Sequence, residues 1–280
     1  MKNIKKILFS LTFAVFAVTC VCAAPRQNQE DNKKTEETLQ MLQNEIRKYE
    51  TLKSEISNGG NGREKLDVIN DRLKSLYTNE GLTFYALDKI DEAVKSFDAA
   101  LTLYPDFKEG YYYKGTVLSG GERYEEALKE FDKALKIDDK YKEAYFNKGA
   151  TLFEMKKYKE AEIEFDKVIK LAPQTAEAYY CKGLCRYNLG KFKNAVKSFD
   201  QATVINPDYK EAYNLKGLAL AEIGKKEEAL SEFDKAIKID PEYNDAYYNK
   251  ASVFAAAGRG DEATDMLNKV DELNIKKSRR

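Results

Sequence analysis

Residues 210–243 have the sequence KEAYNLKGLALAEIGKKEEALSEFDKAIKIDPEY, and this 34-residue pattern decides the fold. The pattern occurs six times without insertion or deletion, at 74–107, 108–141, 142–175, 176–209, 210–243 and 244–277. We number the residues of each repeat from position 1 to position 34. Most repeats have glycine at position 8, alanine at position 20, phenylalanine at position 24 and proline at position 32. An uninterrupted internal period of this length predicts a solenoid of stacked, similar units.

Each repeat contains two apolar stripes at helical spacing. In repeat 3, one stripe includes Tyr145 and Leu152, and the second includes Ala161 and Phe165. Small residues at positions 8, 20 and 27 allow the two predicted helices to approach closely, and a proline at position 32 ends the second helix. A single helical hairpin cannot bury its apolar surface, so we expect stability to come from stacking between neighbours.

This spacing of residue types resembles the tetratricopeptide repeat (TPR) family. Repeat 5 carries the pattern most fully, in Tyr213, Gly217, Leu220, Ala229, Phe233, Ala236 and Pro241. The resemblance extends from Lys74 to about Lys277. It implies an all-α fold, an α-solenoid with a right-handed superhelix of six helical hairpins, and a non-catalytic role in binding other proteins.

The two ends of the repeat array depart from the pattern. In repeat 6, Thr264 and Asp271 replace residues that are mostly apolar elsewhere, which predicts a polar outer face on a capping helix with an apolar stripe on its other side (Ala263, Leu267, Val270 and Leu273). Before repeat 1, residues 33–73 resemble a degenerate repeat, with helices over 33–57 and 63–73 joined by a glycine-rich turn. The basic residues at 276–280 form a predicted tail.

The helix predicted over residues 33–57 carries a heptad-like apolar stripe that allows two interpretations. The stripe consists of Leu39, Leu42, Ile46, Tyr49 and Ile56. It either packs against the first repeat or forms a short coiled coil, which would give homo-oligomerisation through residues 33–57.

The first 23 residues have the layout of a secretory signal. Three lysines precede an apolar stretch over residues 7–22, and small residues follow it. We therefore expect cleavage after Ala23, a disordered linker over 24–32 and export to a bacterial-type periplasm or envelope, with no integral membrane span in the mature chain. One alternative is that the apolar stretch is retained as an uncleaved anchor. The other is lipid anchoring at Cys20 or Cys22, although neither cysteine has the usual lipoprotein pattern before it.

Composition excludes several classes of function. Lys+Arg 47 balances Asp+Glu 47, which is not the basic signature of a general nucleic-acid-binding protein. The chain has no histidine, which excludes histidine-dependent catalysis and zinc sites with imidazole ligands. No phosphate-binding loop, nucleophile elbow or metal-ligand cluster is present, so we predict no enzyme, cofactor or metal. Cys181 and Cys185 lie on one helical face and are expected to be small packing residues.

A second regularity concerns charge. Position 7 is lysine in repeats 2 to 6 and position 25 is aspartate in repeats 1 to 5. This match predicts an ion pair between each aspartate and the lysine of the next repeat, such as Asp98 with Lys114. We expect these pairs to fix the register of neighbouring repeats. The alternative is that both residues are solvated helix-face charges.

The resemblance also implies a binding surface. In TPR proteins the first helices line a concave groove through positions 2, 5, 9, 12 and 13, which here are aromatic with an acidic rim. The predicted groove residues are Tyr85, Glu109, Tyr112, Glu143, Phe146, Phe153, Glu177, Tyr180, Tyr187, Asn214 and Tyr248. They suit a peptide or helix of a protein partner with apolar anchors. The alternative ligand is a glycan or peptidoglycan that stacks on Tyr112, Phe146, Tyr180 and Tyr187.

Overall fold

The computed structural model describes residues 29–58 and 63–278, which form thirteen helices and no strand. The helices are α1 (Gln29–Asn58), α2 (Arg63–Ala86), α3 (Ile90–Leu103), α4 (Lys108–Gly120), α5 (Tyr124–Ile137), α6 (Lys142–Glu154), α7 (Tyr158–Leu171), α8 (Ala176–Asn188), α9 (Phe192–Ile205), α10 (Lys210–Glu222), α11 (Lys226–Ile239), α12 (Asn244–Ala256) and α13 (Gly260–Ser278). This confirms the predicted all-α repeat solenoid. Residues up to 151 and residues from 152 belong to two compact units, which are described separately.

The turn inside each hairpin depends on one residue with a left-handed backbone at position 15. In repeat 5 this residue is Gly224, with φ +80, and the next amide, that of Lys225, donates to the carbonyl of Leu220 at 2.9 Å. Glu122 occupies the same position with φ 60 in repeat 2, at some conformational cost for a residue with a side chain. The amide closes the end of the first helix because it satisfies a carbonyl that would otherwise lack a partner.

In four repeats the core of the hairpin is a phenylalanine ring on a glycine. Phe233 is 0% exposed, and a Cβ atom added to Gly217 would lie 2.6 Å from its ring. The same close approach occurs between position 8 and position 24 in three other repeats (Gly81 and Phe97, Gly115 and Phe131, Gly183 and Phe199). The recurrent glycine is therefore explained by the space that the ring occupies.

The N-terminal segment differs from the predicted hairpin at its second helix. Instead of ending near Leu73, the helix continues into repeat 1, so that α2 is a single helix of 24 residues. Asp71 stands where most repeats have proline, so that no missing amide interrupts the helix. Ile69, Leu73 and Leu76 are all buried at helical spacing, which favours a continuous helix.

The apolar stripe of α1 packs inside the chain. Ile46 is buried with Ile69, Leu73 and Leu76 of α2, and the partly buried side chains of Leu42, Tyr49 and Ile56 pack against this cluster. Arg72 of α2 also forms an ion pair with Glu45 at 2.7 Å. The structure thus shows the packing interpretation of the stripe, with Ile46 buried and Leu42, Tyr49 and Ile56 partly buried, and homo-oligomerisation through this helix stays a prediction.

Several predictions concern residues at the chain ends. The signal sequence, its cleavage site and the lipid-anchor cysteines lie outside the described residues. The helix α1 begins at Gln29, so that the end of the predicted linker is helical. At the other end, α13 extends to Ser278 and includes the start of the predicted basic tail.

The capping prediction for repeat 6 is confirmed at most positions. Thr264 and Asp271 are exposed, whereas Val270 and Leu273 are 0% and 6% exposed. Leu267 is 43% exposed and does not belong to the buried stripe. In this repeat the glycine at position 8 is replaced by Ala251, which is buried, and the phenylalanine at position 24 is replaced by Leu267.

The predicted ion pairs between repeats are present. Asp98 and Lys114 lie 2.6 Å apart, as do Asp132 and Lys148, and Asp200 and Lys216 lie 2.5 Å apart. The two remaining pairs, which complete the series within the described residues, are Asp166 with Lys182 and Asp234 with Lys250. We call these five contacts the Asp–Lys ladder.

We expect one rung of the ladder to contribute a small, measurable coupling. In a double-mutant cycle with Asp234→Asn and Lys250→Met, the coupling energy should be about 0.5 kcal/mol, because the Asp234 side chain is 57% exposed and solvent screens the pair. Urea denaturation of the four proteins gives the value. A parallel cycle of Lys250→Met with Asp265→Asn is the control, and equal coupling in both cycles would contradict the pairing.

Candidate functional site

The candidate site consists of positions 2, 5, 9, 12 and 13 of the first helices, which we call the first-helix surface. No lysine or arginine occupies any of these positions in any repeat. Seven acidic residues do occupy them: Glu109, Glu143, Glu154, Glu177, Glu211, Glu222 and Asp245. The positions that define this surface therefore carry net negative charge, whereas the charge of the whole chain is balanced.

In the first unit, Tyr112 is the centre of the predicted aromatic residues. Its ring lies 5.2 Å from that of Tyr141 and 6.3 Å from that of Phe131, and its hydroxyl accepts a hydrogen bond from the Asn147 amide at 3.2 Å. These contacts fix the ring while leaving the residue partly exposed. Tyr85 and Phe146 are also partly exposed, Glu109 lies 4.0 Å from Lys108, and Glu143 lies 3.8 Å from Lys142.

In the second unit, Phe153 and Tyr187 are each held by a ring at the start of the following helix. Phe153 meets Tyr158 edge-on at 5.1 Å, and Tyr187 meets Phe192 edge-on at 5.2 Å. Burial raises the pKa of Tyr187 to about 12. Both residues remain partly exposed, so that they can contribute ring surface to a bound partner.

Two predicted groove residues are buried instead of exposed. Tyr180 is 1% exposed and its ring stacks on that of Tyr209 at 4.9 Å. Asn214 is 4% exposed and accepts a hydrogen bond from the Asn249 amide at 2.8 Å. They support the surface from beneath, because Tyr209 of the same repeat covers Tyr180 and Asn249 of the next repeat bonds to Asn214. A ring buried in this way offers no face to a sugar, which removes Tyr180 from the alternative glycan surface.

Three other predicted residues have the greatest access to solvent. Tyr248 is 44% exposed. Glu143 and Glu177 are also exposed, and Glu177 forms no ion pair or hydrogen bond within the described ranges. These three side chains can reach a ligand without any rearrangement of the fold.

Sequence reasoning missed an ion pair between repeats 3 and 4. The Arg186 guanidinium donates to the Glu162 carboxylate at 2.6 Å, and the two side chains are only 21% and 14% exposed. Although burial alone would raise the pKa of Glu162, hydrogen bonds from Arg186 and Lys191 lower it below its ordinary value. Glu162 occupies position 21, which is apolar in most repeats, and Arg186 occupies position 11, which is apolar in the other repeats. Two opposite charges at normally apolar positions of adjacent repeats were the signal that could have revealed the pair.

A second missed pattern joins position 1 to position 31 of the same repeat. Lys108 contacts Asp138 at 2.6 Å and Lys210 contacts Asp240 at 2.6 Å. In both pairs a hydrogen bond from the lysine ammonium lowers the pKa of the aspartate. Repeat 4 has Ala176 and Asn206 at these positions and lacks both charges, whereas repeats 1 and 3 keep the lysine but have Tyr104 and Ala172 at position 31. The two charges therefore do not vary together along the sequence, which is why the pattern was missed.

The buried thiols are structural in this geometry. Cys181 and Cys185 are free and buried, at 2% and 0% exposure. Burial is the main cause that raises the pKa of both thiols, which keeps them protonated at neutral pH. They pack as small apolar residues, as expected from their spacing.

Neither a group able to hold a metal ion nor a helix suited to crossing a membrane is found in the part of the chain that the structure describes. Across residues 29–58 and 63–278, no three His, Cys, Asp or Glu side chains come together in a group able to hold a metal ion. None of the thirteen helices described above combines the length and the apolar character that crossing a membrane requires.

Models of the tetratricopeptide repeat family match most of the chain. One matches residues 78–142, 182–244 and 214–273, and a second matches residues 118–185. The chain therefore belongs to the tetratricopeptide repeat family. No curated protein matches it in sequence.

Solved structures give more particular similarities. A crystal structure of MamA is 25% identical, with a TM-score of 0.56, and the match covers 59% of this chain and 97% of MamA. YrrB, described as a TPR protein with an unusual peptide-binding site, is 28% identical with a TM-score of 0.55, over 64% of this chain and 93% of YrrB. The pilF protein of Pseudomonas aeruginosa, at 17% identity, a TM-score of 0.61 and coverage of 74% and 99%, shows the shared fold alone.

Proposed function

We propose that this protein is a non-catalytic interaction scaffold that binds a peptide or helix of a protein partner on its first-helix surface. The observation that carries the proposal is the combination of partly exposed, rigidly held rings, such as Tyr112 and Tyr187, with exposed acidic side chains. Rigid aromatic anchors beside polar groups are typical of protein interfaces. The similarity to YrrB, which is described as peptide-binding, supports the same function.

We further propose that the scaffold works in the cell envelope. The support comes from the sequence of residues 1–23, with Lys2, Lys5 and Lys6 before an apolar stretch and small residues after it. The experiment below includes this location, because the partner should then come from the envelope fraction and not from the cytosol.

The test is a comparison of two variants that carry matched changes on different faces. The first combines Glu143→Lys, Glu177→Lys and Tyr248→Ser, all exposed residues of the first-helix surface. The second, the control, combines Glu125→Lys, Glu160→Lys and Val204→Ser, all exposed residues of second helices. Partners are captured from envelope and cytosolic fractions with each protein, identified, and then titrated as purified proteins.

We expect the first variant to bind an envelope partner at least about tenfold more weakly than the wild type, since it loses an aromatic anchor and reverses two charges. The control should bind as the wild type does. If both variants keep the same partners at the same affinity, the first-helix surface is not the binding site. Partners found in the cytosolic fraction alone would contradict the proposed location.

A further inference from the structure

A lysine covers the aromatic ring at position 34 in several repeats. Lys108 lies 5.0 Å from the centre of the Tyr141 ring, and Lys210 lies 5.1 Å from the centre of the Tyr243 ring. In repeat 1, Lys74 lies 5.5 Å from the ring of Phe107. Each of these rings thus makes a cation–π contact with an ammonium group of its own repeat, since a cation is attracted to the negative face of an aromatic ring.

Repeat 4 lacks this internal cation. Position 1 is Ala176, and no lysine or arginine of the described chain lies over the ring of Tyr209 at position 34. The Tyr209 ring stacks on Tyr180, as the ring of Tyr141 meets Tyr112 in repeat 2. The aromatic pair is therefore retained in repeat 4, whereas the ammonium group that accompanies it in repeat 2 is missing.

Two carboxylates belong to this part of the fold. In repeat 2, Glu109 at position 2 lies 4.0 Å from the Lys108 ammonium that covers the Tyr141 ring, and Glu177 has the same position in repeat 4. Glu211 follows Tyr209 by two residues, and the charges of Glu177 and Glu211 contribute, after burial and Cys181, to the raised pKa of Tyr209. Glu177 is exposed and unpaired within the described residues. The ammonium group of Lys210 lies 3.9 Å from the Glu211 carboxylate, but it lies closer to Asp240, at 2.6 Å. Negative charge is therefore available next to a ring that has no cation.

The hydroxyl group of Tyr180, whose ring stacks on that of Tyr209, also distinguishes repeat 4 from repeat 2. It is buried and has no hydrogen-bond partner, and its electrostatic neighbours include Tyr209 and Glu211. The equivalent hydroxyl of Tyr112 accepts a hydrogen bond from Asn147, but Leu215 occupies that position here and cannot donate one. A buried polar group without a partner is costly and calls for an explanation.

We propose that these groups form a site for a lysine or arginine side chain of the bound partner. The partly exposed Tyr209 ring and the carboxylates of Glu177 and Glu211 make up this repeat-4 cation site. The incoming ammonium or guanidinium takes the place that Lys108 and Lys210 fill in their own repeats. The acidic first-helix surface, which has no lysine or arginine of its own, favours the same basic partner. This inference rests on the proposed function and specifies its ligand.

The probe is a library of random twelve-residue peptides displayed on phage and selected on the full chain. We expect the selected peptides to be enriched in lysine or arginine. A selected peptide resynthesised with citrulline or norleucine at those positions should bind at least about tenfold more weakly, because it loses both the cation–π contact and the ion pair.

Two variants place the binding at repeat 4. Ala176→Lys supplies the internal ammonium that repeats 2 and 5 have, and it should weaken the basic peptide at least about tenfold by occupying the ring. Because Ala176 is 4% exposed and the longer side chain could perturb the helix start, Glu177→Gln is the second variant, at an exposed position. Glu160→Gln on the second-helix face is the control and should bind as the wild type does.

The outcomes separate this inference from the proposed function. Selected peptides without basic enrichment, or basic peptides that bind Ala176→Lys and Glu177→Gln as tightly as the wild type, overturn the repeat-4 cation site and leave the first-helix surface as the binding site. Peptides that bind the Glu143→Lys, Glu177→Lys, Tyr248→Ser variant undiminished overturn the proposed function as well, as does the failure to select any peptide.

Discussion

Replacing Arg186 by leucine is expected to lower the free energy of unfolding by about 3 kcal/mol, whereas the double change Glu162→Val, Arg186→Leu should leave it within about 1 kcal/mol of the wild type. The single change strands the Glu162 carboxylate, whose side chain is 14% exposed, with Lys191 at 3.3 Å as its remaining ion-pair partner. The double change removes both charges and puts apolar groups in their place.

The neighbouring repeats show why the double variant should pack well. At the same two positions, Val94 packs against Leu118 and Val196 packs against Leu220. The solenoid therefore accepts an aliphatic pair at the junction between these repeats, and the change introduces the residues that the chain already uses there. The loss of the Arg186 contact with Ser198 at 3.0 Å is the main remaining cost.

Urea denaturation of the wild type, both single variants and the double variant gives the coupling energy, and its pH dependence gives a second readout. The lowered pKa of Glu162 contributes stability that is present above the unfolded pKa of a glutamate, near 4.5, and is lost as the pH falls through the folded value. The wild type should therefore lose more stability than the double variant on acidification. Additive single changes, or identical acid sensitivity, would show that the ion pair is energetically irrelevant.

The sequence predicted the features that depend on the period and on charges that vary together. Two helices per repeat followed from apolar stripes, and the Asp–Lys ladder followed from lysine at position 7 and aspartate at position 25. Each ladder contact joins adjacent repeats sixteen residues apart, such as Asp98 and Lys114, so that a simple correlation finds it. Interactions that the repeat reproduces in every copy are the ones that a single sequence can reveal.

The sequence did not predict where a local exception would place a side chain. Tyr180 has the residue type and position of a groove residue, but packing of Tyr209 over it leaves it 1% exposed. Helix α2 continues past Leu73 because burial of Ile69, Leu73 and Leu76 outweighs the repeat pattern. Both outcomes depend on the packing of particular neighbours, which the average pattern of the repeat does not contain.

Replacing Gly217 by alanine should destabilise the protein by about 2 kcal/mol, although alanine is the better helix former by about 1 kcal/mol. The added methyl group would lie 2.6 Å from the Phe233 ring, which is 0% exposed and cannot move without disturbing the core of the hairpin. The steric cost must therefore exceed the gain in helix propensity. The free energy of unfolding from urea denaturation measures the difference.

Repeat 6 suggests the change that should rescue this variant. There, Ala251 and Leu267 replace the glycine and the phenylalanine together. In the double variant Gly217→Ala, Phe233→Leu, the smaller side chain makes room for the methyl group, so the loss should be at least about 1 kcal/mol less than the sum of the two single losses. Gly260→Ala is the control, since a methyl group there meets no atom within 4 Å and the change should leave stability equal to or above that of the wild type. Strict additivity of the two changes would show that contact between position 8 and position 24 does not explain the recurrent glycine.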